Sequence, residues 1–201
     1  VLHCPYTADK ARIVVQEMID GISLELVEKR LVTDQLVLTV GYDIENLTRP
    51  EIRKVYKGPV TTDRYGRRVP KHAHGTWNLP RATSSSSELL EAMAALYDKI
   101  VNPALLIRRM SLSACHVVNE KMAKEREQKE TFEQLDLFTD YAKKEAKEKE
   151  EQKKRERERR MQEALLTIKK KYGKNAVLRG MNFEEGATAK ERNGQIGGHQ
   201  A

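Results

Sequence analysis

Apolar positions in residues 1–118 recur with two periods. From Ala8 onward, Ala11, Val15, Met18 and Ile22 fall at helical spacing and predict one buried stripe, with Thr7 as the N-cap. Gly21 is expected to interrupt it, and Leu24, Val27 and Leu31 to continue as a short further turn after Ser23. Thr33-Asp34 reads as a turn. Leu36, Leu38, Val40 and Tyr42 then alternate with Val37, Thr39 and Gly41, the period of a strand. A second strand is predicted over residues 71–79. Ala73, Gly75, Trp77 and Leu79 share one parity, and His72, His74, Thr76 and Asn78 the other. Ser85-Ser86-Ser87-Glu88 predicts a capping box in which Ser85 caps and Glu88 reaches back. The helix it opens buries Leu89, Met93, Leu96 and Ile100 and stops at Asn102-Pro103. Residues 106–116 predict a last strand, with Leu106, Met110 and Leu112 inward and Arg109, Ser111 and Ser113 outward. Val1 to Cys4, stopped by Pro5, reads as the end of a strand ahead of all these. The predicted fold class is therefore α+β, a ferredoxin-like βαββαβ unit: a four-stranded sheet with both helices on one face and the first strand central.

After Asn119 this patterning stops. Residues 121–130 are mostly charged, and residues 143–160 hold no apolar side chain but Ala146. Glu145 with Lys149, Glu150 with Lys154, Glu151 with Arg155 and Glu156 with Arg160 are acid-before-base pairs at i,i+4. They predict an isolated, water-exposed spacer helix; its balanced charge argues against a basic RNA-binding helix. Met161, Leu165, Ile168 and Tyr172 form a short apolar stripe, Gly173 supplies a C-terminal cap, and residues 175–178 read as a small strand. Residues 186–201 are Gly-rich and polar, and are expected to be loop or disordered. Four parts result: a domain over 1–118, a linker over 119–140, a charged helix over 141–172 and a tail over 173–201.

Charge narrows the partners. The net charge of +7 favours an acidic partner, nucleic acid first. The long connection over residues 43–70, with Arg49 just inside it, carries Arg53, Lys54, Lys57, Arg64, Arg67 and Arg68. It reads either as a phosphate-contacting arm or as a solvated hairpin tip. The sheet face left open by the helices would carry Thr39, His72, His74, Thr76, Arg109, Ser111 and Ser113, which suits a nucleic-acid backbone. His72 and His74 lack a third ligand nearby, so a metal site is not expected. Cys4 and Cys115 have no metal-ligand spacing and fit a reduced cytoplasm. No Gly-rich phosphate loop and no nucleophile–base pair is recognisable, so no catalytic residue is assigned. No run is apolar enough to predict a membrane span, and no signal peptide is expected. A chain opening on Val1 inside a strand-like segment reads as a piece of a longer protein.

Gln134-Leu135-Asp136-Leu137-Phe138 is an apolar island in solvated sequence, more easily read as bait for a partner's pocket than as interior. The alternative is the first turn of a helix docked on this chain's own domain. The pentapeptide resembles the bacterial sliding-clamp binding motif. That resemblance implies that Gln134 hydrogen-bonds at a pocket rim, that Leu135 packs beside it, and that Leu137 and Phe138 fill the pocket of the clamp (the beta subunit).

A wider resemblance covers most of the chain. Val-Leu-His-Cys-Pro-Tyr-Thr before the first helix and Ile107-Arg108-Arg109-Met110-Ser111-Leu112 resemble the little-finger domain of Y-family translesion DNA polymerases. Residues 36–43, 63–67, 71–76, 173–175 and 192–199 resemble its UmuC/MucB/ImpB/SamB-like bacterial branch. The resemblance implies a sheet lying against the major groove of template–primer duplex and gripping its phosphates, in an enzyme of low-fidelity lesion bypass. It places the palm, and with it any Mg2+, upstream of Val1, so this chain alone is not expected to polymerise. A clamp-bound DNA repair factor without a polymerase parent is the second reading. A structural or RNA-binding protein built on the charged helix is the third, and it leaves the pentapeptide and the βαββαβ order unexplained.

Overall fold

The computed structural model describes residues 1–133, 141–196 and 199–200. Its centre is an antiparallel sheet of β1 (Leu31–Tyr42), β4 (Ala73–Thr83) and β5 (Ile107–Cys115) in the order β4-β1-β5. A short strand, β6 (Val118–Asn119), pairs with the start of β1. Two helices, α1 (Ala8–Lys29) and α4 (Ser86–Ile100), cover one face. Between β1 and β4 come α2 (Glu45–Thr48), α3 (Pro50–Val55) and a hairpin of β2 (Val60–Thr62) and β3 (Arg68–Pro70). The core forms where the two predicted periods meet. Ala11, Val15 and Ile19 from α1 and Leu89, Met93 and Leu96 from α4 close over Leu36, Leu38 and Val40, all essentially without solvent exposure. Burying side chains of this kind contributes roughly 1.5–3 kcal/mol each.

Several local expectations change. Helix α1 runs unbroken through Gly21, because tertiary burial on both sides outweighs the roughly 1 kcal/mol that glycine costs in a helix. Thr33-Asp34 is not a turn. It lies inside β1 at a register irregularity, and β6 gives the backbone at Leu31 and Val32 a partner beyond β5. In β5, Arg108 is an extra residue between the pairs Gly41–Arg109 and Tyr42–Ile107. This bulge turns Ile107 into the core in place of Leu106.

The N-terminal segment also differs. It forms no regular strand: Leu2 N donates to Arg108 O at 2.9 Å, and Tyr6 and Ile107 exchange bonds of 2.9 and 2.8 Å. It lies along the outer edge of β5, so the central pair is β1 and β5 and the first segment is an edge. That is not the ferredoxin-like order. Pro5, which has no N–H, breaks the ladder there.

The charged region is helical but not isolated. Helix α5 (Glu120–Glu133) leaves β6, and α6 (Tyr141–Tyr172) returns to the domain. Glu158 accepts from Ser87 N (2.8 Å), Ser85 Oγ (2.7 Å) and Ser87 Oγ (2.9 Å), which places a carboxylate on the N-terminus of α4. Gln162 is buried and donates to Ser84 O at 3.0 Å and Ser86 Oγ at 2.8 Å. Arg159 reaches Glu120 at 3.2 Å, and Lys170 reaches Glu28 at 2.8 Å. The contact is polar, so apolar periodicity could not announce it. Ser85 caps α4 through Glu88 N as predicted, but the Glu88 side chain turns to Arg81 and Arg155 and does not close the box. The apolar stripe of α6 faces water at Met161, Ile168 and Tyr172.

The tail folds back on α1. Gly173 caps α6 in the left-handed region (φ +94). Residues 175–178 are turn and bend and form no strand. A 3-10 turn (Gly180–Phe183) and α7 (Ala189–Arg192) follow. Buried Glu17 receives Thr188 N (2.9 Å), Ala189 N (2.9 Å), Thr188 Oγ1 (3.2 Å), Asn182 Nδ2 (2.8 Å) and Arg192 Nη2 (3.2 Å). Among the described residues, no helix is long and apolar enough to cross a membrane.

Candidate nucleic-acid interface

Strand alternation sends Leu36, Leu38 and Val40 into the helical layer, so their neighbours point to the opposite face, which no helix covers among the described residues. Antiparallel register then fixes which side chains meet across three strands. His74, Thr39 and Ser111 form one row, Thr76, Val37 and Ser113 the next, and Asn78, Gln35 and Cys115 a third. Thr39 Oγ1 and His74 Nδ1 are 2.9 Å apart, and Gln35 Nε2 donates to Asn78 Oδ1 at 2.9 Å. Arg109 stands opposite Gly41, whose missing side chain leaves it room: a Cβ there would sit 3.4 Å from Arg109 Cβ. His72 is exposed just before β4, near the Arg109 end. Six of the predicted contacts, Thr39, His74, Thr76, Arg109, Ser111 and Ser113, thus share one surface, with His72 beside it. Gln35 and Asn78 extend the band. Asn78 already shares the parity of His74 and Thr76, and continuing the parity of Thr39 back two steps, past Val37, reaches Gln35.

Arg64, Arg67 and Arg68 are not on the sheet. They sit on the β2–β3 hairpin, which joins the sheet at the end carrying Arg109 and His72. Its root is tied by Lys71 N donating to Pro59 O at 2.8 Å. Below it, buried Asn46 donates to the carbonyls of Asp43 and Leu106 and accepts from Leu106 N, which pins the connection against β5. At the tip, Arg67 N, together with the Arg67 guanidinium and Tyr65 N, holds the Asp63 carboxyl below the usual carboxylate range. Arg64 and Arg68 are exposed. Comparison with known protein families, with curated proteins and with solved structures returns no match. Gln134, Leu135, Leu137 and Phe138 fall between α5 and α6, outside the described residues. Among the described residues, no group of three His, Cys, Asp or Glu side chains could hold a metal ion.

Proposed function

We propose that this chain is the DNA-binding and clamp-tethering region of an error-prone translesion DNA polymerase of the Y-family, with residues 1–118 acting as its little finger in the bacterial cytoplasm. One observation carries the reading: a sheet covered by helices on one side bears on the other a band of hydroxyl, amide and imidazole groups set around Val37, with Arg109 at one end. The basic hairpin joins at that same end. Hydroxyls and guanidinium groups at strand spacing donate to phosphate oxygens, and such contacts position a duplex without reading its bases. The clamp half of the proposal rests on residues 134–138, with Leu137 and Phe138 as pocket anchors and Gln134 and Leu135 at the rim.

The test is duplex affinity as a function of salt. The log–log slope should be about −0.9 per phosphate neutralised, and each Arg→Gln change at Arg64, Arg68 or Arg109 should flatten it by about that amount. A flat titration, or strong preference for one sequence, defeats the DNA assignment. Calorimetry against a purified bacterial clamp tests the tether separately. Micromolar binding, about −8 kcal/mol, should vanish in practice with Phe138→Ala, which should cost about 2–4 kcal/mol. Undiminished binding by that variant defeats it.

A further inference from the structure

The hairpin tip is more than a carrier of positive charge. Its backbone is closed by Asp63 N donating to Arg67 O at 2.9 Å and Gly66 N donating to Asp63 O at 3.0 Å, with Gly66 at φ +78. The Asp63 carboxylate binds Tyr65 N and Arg67 N, each at 2.9 Å, and Arg67 Nε at 2.8 Å. A turn held this way presents one large side chain in a fixed place. That side chain is Tyr65, which is 65% exposed and lies outside the core cluster. Two guanidinium groups stack on its ring, Arg64 at 4.6 Å and Arg67 at 5.1 Å from the centroid. They are held differently. Arg67 is anchored by Asp63 at 2.8 Å, whereas Arg64 bonds the Tyr65 hydroxyl and no carboxylate among the described residues.

We propose that Tyr65 is a stacking platform for an unpaired nucleobase, so that the hairpin selects single-stranded DNA or a single-strand junction over continuous duplex. The inference rests on the DNA-binding reading above and adds to it a site and a substrate form. Every base has a π-face, but in duplex both faces are already stacked on neighbours. An unpaired base displaces Arg64 from the ring. The freed guanidinium then moves to a flanking phosphate, while Arg67 stays against the ring under the hold of Asp63. The aromatic group and the cation thus serve two parts of one nucleotide, and no covalent step is involved.

The experiment uses the full chain and fluorescence anisotropy with three probes: an oligo-dT strand, a blunt duplex, and the same duplex with a 5′ overhang carrying 2-aminopurine at the junction. Tyr65→Ala should weaken the strand and the overhang probe about tenfold and change the blunt duplex less than about twofold. Tyr65→Phe, which keeps the ring, should restore binding. Wild-type protein, but not Tyr65→Ala, should quench the 2-aminopurine. Equal losses on all three probes, or no loss on the overhang, overturn the stacking site while leaving duplex binding in place. Absence of wild-type binding to any probe overturns both readings.

Discussion

Replacing Glu17 should release the tail without unfolding the domain. Its carboxylate has no side-chain exposure and takes five donors, four of them on Oε2. Two of the donors are backbone N–H groups opening α7, which would otherwise stay unpaired at the start of that helix. A hydrogen bond to a charged group contributes about 1.5–3 kcal/mol, but five on one carboxylate do not add, because the tail can undock and solvate its donors together. The loss is therefore capped by the docking free energy of residues 174–192. For Glu17→Ala we expect about 3 kcal/mol of local opening energy, roughly a hundredfold loss of exchange protection. Glu17→Gln should lose about half as much. Its carbonyl can still serve the Oε2 donors, but its amide faces Asn182 Nδ2 donor to donor and it brings no charge to Arg192. Amide hydrogen exchange reads this directly: Thr188, Ala189 and Arg192 should speed up, and Leu89 and Met93 in α4 should not. Unchanged protection at Thr188 and Ala189 would refute the clasp, and so would an equal loss in α4.

Gly75→Ala should destabilise the domain by about 1–3 kcal/mol in urea melts, because a Cβ there would lie 2.8 Å from Ile100 Cγ2 and 2.9 Å from Leu96 Cδ1; a neutral result would mean that α4 can shift off β4. Glu158→Ala should cost about 1–2 kcal/mol and expose the middle of α6 to protease, whereas exposed Glu150→Ala should change stability by less than about 0.5 kcal/mol. Asp20, partly buried against Arg179 at 2.7 Å, has its pKa raised, first by desolvation, so the native state holds its proton more tightly than the unfolded chain does. Its contribution must then fall as pH rises from the ordinary aspartate value through its raised one, and Asp20→Asn should remove that decline from pH-dependent melts. Asp98 acts with the opposite sign: hydrogen bonds from Arg12, each 2.9 Å, hold it low, so the stability it adds is lost as pH falls through its depressed pKa, and Asp98→Asn should flatten that acid limb.

Apolar period was enough to determine the mixed α+β layering, the inward sets of β1 and α4, and the outward set of Thr39, His74, Thr76, Arg109, Ser111 and Ser113. Each follows from a strand's period of two or a helix's of 3.6, which are properties of the local backbone. The cap at Ser85 and the stop at Gly173 were local too. What the sequence could not determine depends on partners distant in the chain. The edge position of residues 1–6 is decided by which side of β5 has free N–H and C=O groups. The inward turn of Ile107 comes from a bulge that only pairing with β1 creates. The docking of α6 and the folding back of the tail are made by Glu158, Gln162 and Glu17, side chains whose type ordinarily signals solvent. A carboxylate can be buried only where several donors converge on it, and that convergence exists only once α1, α4, α6 and α7 stand together.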